Sequence, residues 1–381
     1  MSLFFIIFFV LYGGMHFYAF LKVRSAVALG PSAVILIIIF MLVMIFAPFI
    51  IRMSEKFGFE YSARIMSYIG YIWMGVLFLF VSSSFAVDFF RLLIHLFESS
   101  FQRDLHYLKP SPALSLFIPF VLSVSIAIYG YFEARNIRTE HITIKTSKIP
   151  QEVGRLRIVQ ISDVHIGLII REERLKNILR EVKKAGPDIL VSTGDLVDGQ
   201  INNLIGLSGI FNDINPKYGK FAITGNHEFY AGLSQAVDFT KNAGFIMLRS
   251  EGLTVNGLIN IIGIDDPAGR PYGLFREISE SELLSKFPRD KFTLFLKHRP
   301  LVDKTSFGLF DLQLSGHVHK GQIFPFSLIT KIYYPVHAGF AEYSKDSRLY
   351  VSRGAGTWGP PIRFLSPPEV TVIDIVHENI P

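Results

Sequence analysis

The chain has no cysteine among its 381 residues. Disulfide staples, thiolate catalysis and cysteine-ligated zinc are therefore excluded. Charge is scarce as well, at 18% of residues, and it is unevenly spread. Residues 1–134 hold only 14 of the 70 Asp, Glu, Lys and Arg side chains. Such a shift marks a change of solvent along the chain, with a short hinge near 134–140. The net charge of +6 is modest, and the basic residues are not interleaved with aromatics as a nucleic-acid groove requires. No nucleic-acid partner is expected. What the chain has in excess is apolar: half of its residues are hydrophobic, and 36 are Phe.

A helix needs about 20 mostly apolar residues to cross a bilayer. Residues 3–21, 32–51, 65–90 and 113–132 each meet that length, which predicts an all-α bundle of four transmembrane helices over 1–134. The first stretch has no basic leader and no small-residue cleavage site, so it reads as a retained helix. Four crossings put residue 135 onward on the side of Arg52, Lys56 and Arg64, joined by Arg135, Arg138, Lys145 and Lys148. Lys22, Arg24, Arg91, Arg103 and Lys109 fall on the other side. The positive-inside rule then favours an integral protein of a bacterial inner membrane with a cytoplasmic C-terminal domain. His16, Asp88, Arg91 and His95 lie in or beside the apolar runs, where ionisable groups raise the question of transport. Asp88 and Arg91 read more simply as an i,i+3 ion pair, and His16 as a hydrogen-bonded packing residue. Anchoring is the expected role.

Residues 139–381 follow another pattern. HITIKT (141–146) alternates like an edge strand. Apolar runs at 155–165, 186–199, 217–230, 292–300 and 311–322 each end in polar residues, with helical stretches near 171–185 and 232–243 and late strands at 348–358 and 369–378. Apolar strands alternating with helices predict an α/β domain of two packed β-sheets flanked by helices. Ligands in such folds sit beyond the C-terminal ends of strands.

That is where the conspicuous polar residues lie: Asp163-Val-His165, Gly194-Asp195, Gly225-Asn226-His227-Glu228, His298, and Gly316-His317-Val-His319. The i,i+2 spacing of the first and last clusters points both side chains one way if the segment is extended. The glycines permit sharp turns and close approach to a bound group. Each cluster alone has a plainer explanation, since Asp after a strand commonly caps a helix and Asn after Gly commonly makes a turn. Five clusters at five strand ends point instead to one metal site.

The combined pattern D-x-H, G-D-x-x-D, G-N-H-[ED], H and G-H-x-H resembles that of the calcineurin-like metallophosphoesterases. "IVQISDVHIG" and "GAGTWGPPIRFLSPPEV" look like their membrane-associated bacterial branch. The resemblance covers about residues 141–377 and implies a four-layer αββα sandwich. It implies two divalent metal ions, one held by Asp163, His165, Asp195 and His319, the other by Asp195, Asn226, His298 and His317. Carboxylate, imidazole and amide donors suit Mn, Fe or Zn. A metal-bridging hydroxide would attack phosphorus in line, with His227 as general acid beside the shared Asp195. Asp198 and Glu228 are expected to orient histidines.

His337, Arg299, Arg353 and Arg363 are candidates for gripping the rest of a substrate, and for each a structural pairing is an equal alternative. A domain tethered at a bilayer meets membrane-borne substrates at high effective concentration, which favours a lipid-linked phosphodiester, phosphomonoester or pyrophosphate. By resemblance, a UDP-diacylglucosamine type of intermediate is one such compound. Segments 201–211 and 322–336 are apolar enough to cover acyl chains, rest on the membrane or join the core. The competing class is a catalytically silent membrane sensor or scaffold of the same fold.

Overall fold

The computed structural model describes residues 2–199, 204, 206–344 and 346–378. The chain divides into two compact units, Met1–Phe132 with Gly359–Ile362, and Glu133–Trp358 with Arg363–Pro381.

The first unit is built from α1 (Ser2–Ala26), α2 (Pro31–Lys56), α3 (Glu60–Phe101) and α4 (Pro112–Glu133). All four are long and apolar enough to cross a membrane. Breaks fall where the backbone demands them: Pro31 opens α2 at the position where its missing N–H costs nothing, and Gln102 ends α3 in a left-handed conformation. The third apolar run, expected over 65–90, belongs to a helix of 42 residues. At 1.5 Å per residue that is roughly 63 Å, about twice the hydrocarbon thickness of a bilayer. Hydropathy finds only the lipid-length part of such a helix; the charged extension around Arg91 and Glu98 stays helical because its residues are good helix formers.

Large apolar side chains such as Val10, Leu36 and Phe49 face outward, whereas His16 is buried. Trp73 Nε1 donates to His16 Nε2 at 2.9 Å, and His16 Nδ1 donates to the Tyr12 carbonyl at 2.8 Å, which satisfies a neutral imidazole completely. The expected Asp88–Arg91 pair is not the one formed. Asp88 takes Lys22 and Tyr18 of α1 instead, since a partner across the helix interface lets both charges leave lipid together.

Among the described residues, the second unit contains twelve strands: β1 (Arg138–Thr146), β2 (Arg155–Ile161), β3 (Ile189–Ser192), β4 (Lys220–Ala222), β5 (Ile246–Met247), β6 (Glu251–Val255), β7 (Ile259–Gly263), β8 (Phe292–Leu296), β9 (Leu312–Ser315), β10 (Gly339–Ser344), β11 (Ser347–Val351) and β12 (Glu369–His377). They form two six-stranded mixed sheets, in the orders β1-β12-β2-β3-β4-β5 and β10-β11-β9-β8-β7-β6. The expected two-sheet α/β class holds, and HITIKT lies on the edge strand β1. Strands β2 to β5 run parallel, as do β7, β8, β9 and β11.

Leu156, Ile158, Ile189, Val191 and Phe221 of the first sheet pack with Ile259, Ile261, Phe292, Leu294, Leu312 and Leu314 of the second in one core. Burying each such side chain stabilises the fold by about 1.5–3 kcal/mol. Helix α5 (Glu172–Ala185) buries Leu175, Ile178, Leu179 and Val182, the i, i+3, i+4, i+7 stripe that its sequence carries. Helices α6 (Asn226–Ala231), α7 (Leu233–Asn242), α8 (Glu280–Ser285) and α9 (Phe326–Tyr333) complete the unit.

The two apolar segments of uncertain role separate. In 201–211, Leu204 and Phe211 are buried in the domain, while 201–203 and 205 lie outside the described residues. In 322–336, Ile323 is buried and Tyr334 and Val336 pack against the cluster of Val318, Leu349 and Val351, whereas helix α9 between them buries none of its residues.

Candidate metal centre

Each polar cluster sits just past a buried parallel strand: Asp163 after β2, Asp195 after β3, Asn226 after β4, His298 after β8, and His317 and His319 after β9. The strands are apolar because both faces are covered, and polarity begins where each strand leaves its sheet. Two sheets stacked with their parallel strands ending together bring these five turns to one place.

The turns are strained. Asp163, His165, Asp195, His317 and His319 all adopt positive φ, between 49° and 71°. Each such non-glycine residue costs of order 1–3 kcal/mol, which persists only where the surroundings hold it. The expected extended i,i+2 geometry is thus corrected: paired ligands converge because two left-handed residues flank Val164 and Val318, not because the segment is a strand. Gly316 belongs to the same packing, because a Cβ there would lie 1.9 Å from Ser162 Oγ and 2.2 Å from Asp163 Oδ2.

Three groups of titratable side chains bring ligand atoms within 4.8 Å of one another: Asp163, His165 and His319; Asp195, His298 and His317; and His165, Asp195 and His227. Ring nitrogens face ring nitrogens. His165 Nε2 is 3.1 Å from His319 Nε2, and His298 Nε2 is 3.2 Å from His317 Nδ1. Asn226 Oδ1 is also 3.2 Å from His298 Nε2. Asp195 Oδ2 stands between the groups, 3.2 Å from His298 Nε2 and 3.9 Å from His165 Nε2.

Supporting contacts fix these orientations. His298 Nδ1 donates to the Thr193 carbonyl at 2.8 Å, leaving Nε2 for the site. His317 N donates to Asp163 Oδ1 at 2.9 Å, and His227 N to Asp195 Oδ1 at 2.8 Å. Asp198 holds His227 Nδ1 at 2.9 Å and lies 3.5 Å from His165 Nδ1. Glu228 does something other than orient a histidine. Its carboxylate accepts from the backbone N–H groups of Asp195, Leu196 and Gly225, at 3.0, 2.8 and 2.6 Å, and so clamps two turns together.

Burial disfavours charge on every one of these groups, but neighbours decide the outcome. Burial raises Asp195, yet His298, His227 and His165 outweigh it and hold the carboxyl well below the usual range. Burial would lower His227 and His298, but Asp195 pushes both up to about 10, aided at His227 by Asp198. His317 falls to about 3 by burial and the charge of His298; His319 falls to about 4, chiefly by burial.

This donor set fits divalent cations. Buried imidazole nitrogens that face each other across about 3 Å cannot both donate, and a cation between nitrogen and carboxylate donors satisfies all of them. Oxygen and imidazole donors without sulfur suit Mn, Fe or Zn.

The four cationic candidates separate from the ligands. Arg363 is fully buried. It donates to the carbonyls of Gly356 and Arg353, both at 2.6 Å, and its Nη2 lies 3.1 Å from His319 Nδ1. It has no surface to offer a substrate, and the gripping role is corrected on that ground. Arg353 is likewise taken, paired with Glu140 and Glu369. Arg299 makes a two-pronged pair with Asp266, at 2.8 and 3.0 Å, and keeps some exposure beside the site. His337 is half-buried, with Lys320 and Lys331 lowering its pKa after burial. Two aromatic neighbours carried no sequence signal: Tyr334 stands 5.6 Å from the His317 ring, and Trp358 6.0 Å from that of His227.

Residues 156–321 match the calcineurin-like phosphoesterase family. A protein of Aquifex aeolicus named an uncharacterized metallophosphoesterase is 38% identical over 255 residues, which is 67% of this chain and 97% of that one. A zebrafish (Danio rerio) transmembrane protein with a metallophosphoesterase domain is 27% identical, covering 67% of this chain and 61% of its own. Among solved structures, a 5'-nucleotidase precursor from Thermus thermophilus aligns at a TM-score of 0.35 with 18% identity, over 58% of this chain and 54% of that one.

The chain belongs to the calcineurin-like metallophosphoesterases, hydrolases of phosphate esters that use divalent metals. Its four apolar helices mark it as a membrane protein of that family.

Proposed function

We propose that this chain anchors a two-cation phosphoesterase in a bacterial inner membrane, with the catalytic unit on the cytoplasmic side, to cleave a lipid-linked phosphate ester or pyrophosphate. The observation that carries the reading is that Asp163, His165 and His319 converge beside Asp195, His298 and His317, with Asp195 Oδ2 standing 3.9 Å from His165 Nε2 between them. Asp163, His165, Asp195 and His319 would hold one cation; Asp195, Asn226, His298 and His317 the other. What two divalent cations supply in such a site is an acidified water and offset charge on the phosphoryl oxygens.

The chain's own residues do the rest. His227 is protonated near neutral pH through Asp195 and Asp198, as a donor to a leaving alkoxide must be. Asp198 holds its Nδ1, so Nε2 carries the transferable proton. Arg363 and Glu228 keep the turns in their strained conformations. Arg299, partly exposed beside His298, is the cation best placed to meet the non-reacting part of a substrate.

A lipid-linked substrate is favoured by connectivity: four residues, 134–137, separate the end of α4 from β1. A site so tethered samples membrane-borne esters at high effective concentration. Orientation rests on the Lys and Arg balance of the connecting loops.

The test uses the full chain in lipid nanodiscs with added manganese. It should hydrolyse an aryl phosphodiester, and elemental analysis should find two transition-metal ions per chain. Asp195→Asn should lower turnover about a thousandfold and reduce the bound metal. Two bound ions with no ester hydrolysed across a broad panel would assign the protein to the silent sensor class. A lipid extract from Asp195→Asn cells should show one phosphorylated lipid accumulating; unchanged lipids with intact aryl esterase activity would discard the lipid link alone.

A further inference from the structure

Helix α9 breaks the rule that organises the rest of its unit. Its sequence, FSLITKIY, is apolar, yet none of its residues is buried. Leu328, Ile329, Ile332 and Tyr333 are all more than half exposed, Ile332 at 81%. Scattered exposed hydrophobics need no explanation, but a whole apolar helix does.

Its position is fixed relative to the metal centre. The backbone of Ser327 lies so close to Gly321 that a Cβ on that glycine would stand 2.4 Å from Ser327 N, and Gly321 is two residues past the ligand His319. At the other end of the helix, Tyr334 packs against the ring of His317. The helix is therefore braced against both histidines of the G-H-x-H turn.

Along the sequence, the charge near it has one sign. Between Asp311 and Glu342 the sequence has no acidic residue, while Lys320 and Lys331 are both present. Lys331 lies within α9 itself, and its side chain belongs to an exposed residue. Apolar side chains with a flanking Tyr and Lys, and no carboxylate, are what an interfacial helix presents to an anionic bilayer. The same chain carries four helices able to cross a membrane, and only four residues separate the last of them from β1, so the chain tethers α9 to a bilayer.

We infer that α9 is an interfacial foot: it seats Leu328, Ile329, Ile332 and Tyr333 in the headgroup region of the bilayer and holds the opening of the metal centre at the lipid surface. The occupant of this surface is the bilayer itself, not an acyl chain of one bound substrate. The inference deepens the lipid-linked reading above and depends on it for its purpose, but not for its test.

The absence of cysteine makes that test clean. Single cysteines at Ile332→Cys and, as a reference on α8, Glu282→Cys are labelled with an environment-sensitive fluorophore in the full chain. Each is reconstituted in vesicles of phosphatidylethanolamine and phosphatidylglycerol, with or without acyl-chain spin-labelled lipid. The Ile332 label should emit to the blue of the Glu282 label and lose most of its intensity to the spin-labelled lipid, with no ester added. The Glu282 label should keep its intensity.

An Ile332 label as unquenched as the Glu282 label would overturn the proposal. So would quenching that appears only after a lipid phosphate is supplied, because that result assigns the face to substrate. Manganese-dependent hydrolysis of a soluble aryl phosphodiester, measured on the same labelled vesicles, reports separately on the phosphoesterase reading.

Discussion

The two units solve the burial of ionisable groups in opposite ways. In the helical unit the apolar side chains face outward, and the ionisable groups inside find partners: His16 donates and accepts once each, and Lys22 meets Asp88. Among the described residues, no cluster of converging His and carboxylate atoms lies there. In the catalytic unit the apolar side chains face inward, yet one end of the sandwich brings two carboxylates and five imidazoles together so that their ligand atoms converge on shared points. A buried histidine is therefore no sign of function by itself. What distinguishes the site is that its donors outnumber the protons available to satisfy them, on a backbone held in conformations that nothing but the surroundings would maintain.

The comparison can be broken by removing partners on either side. After Asp195, the largest effect is expected at His227. Changing His227→Gln should lower kcat about a hundredfold, with metal content by elemental analysis unchanged. Because its folded-state pKa is raised, the acid is present at neutral pH and is lost as pH rises through that pKa; the alkaline fall in wild-type rate should vanish in the variant. Loss of metal from this variant would instead make His227 a ligand, as its proximity to His165 and Asp195 permits.

Arg363 comes next. Replacing it with Met removes the guanidinium from His319 Nδ1 and from the carbonyls of His319, Arg353, Gly354, Gly356 and Ser366, and metal affinity should drop about 10–100-fold. Arg363→Lys should rescue little, since a single ammonium cannot reach the carbonyls that a planar fork serves. Wild-type affinity in both variants would make the arginine a loop strut only.

The helical unit should respond in stability and not in chemistry. Asp88→Leu leaves Lys22 unpaired and should cost about 1–2 kcal/mol in detergent-monitored unfolding, with aryl ester hydrolysis per folded molecule unchanged. Adding Lys22→Met should recover most of the loss. A fall in specific activity would mean the helices do more than anchor.

The smallest effect concerns Asp374, which Arg157 engages through Nε and Nη2 at 2.8 Å each. That hydrogen-bonded pair lowers the carboxyl's pKa against the pull of burial. Its contribution is present above the unfolded Asp value of about 3.9 and is lost as pH falls through the lower folded value. Asp374→Asn should remove about 1 kcal/mol at pH 7 and leave the difference from wild type shrinking below pH 4.

Much of this was readable in order along the chain, where local chemistry decides. Lipid-length apolar runs gave the helices, and strand ends rich in Asp, His and Gly gave the candidate ligands, whose division between two cations came from the family resemblance. Helix α5 announced itself by its i, i+3, i+4 stripe. Strands β5, β6 and β10 were not readable, being short or partly exposed and dependent on neighbours for their pairing; β7 is fully buried, but Asn260 interrupts its apolar run. Nor were the roles of Arg363 and Glu228, because a side chain's partner across a turn is set by the turn and not by its flanking sequence.

The sequence alone determined which solvent each half prefers and which side chains can bind metal, since hydropathy and ligand chemistry belong to residues. Only the tertiary structure decided that Asp88 meets Lys22, that left-handed turns aim the paired ligands, and that an apolar helix stays uncovered beside the G-H-x-H turn. Those outcomes depend on which surfaces are left over after two sheets and four helices have packed, and no local pattern records what is left over.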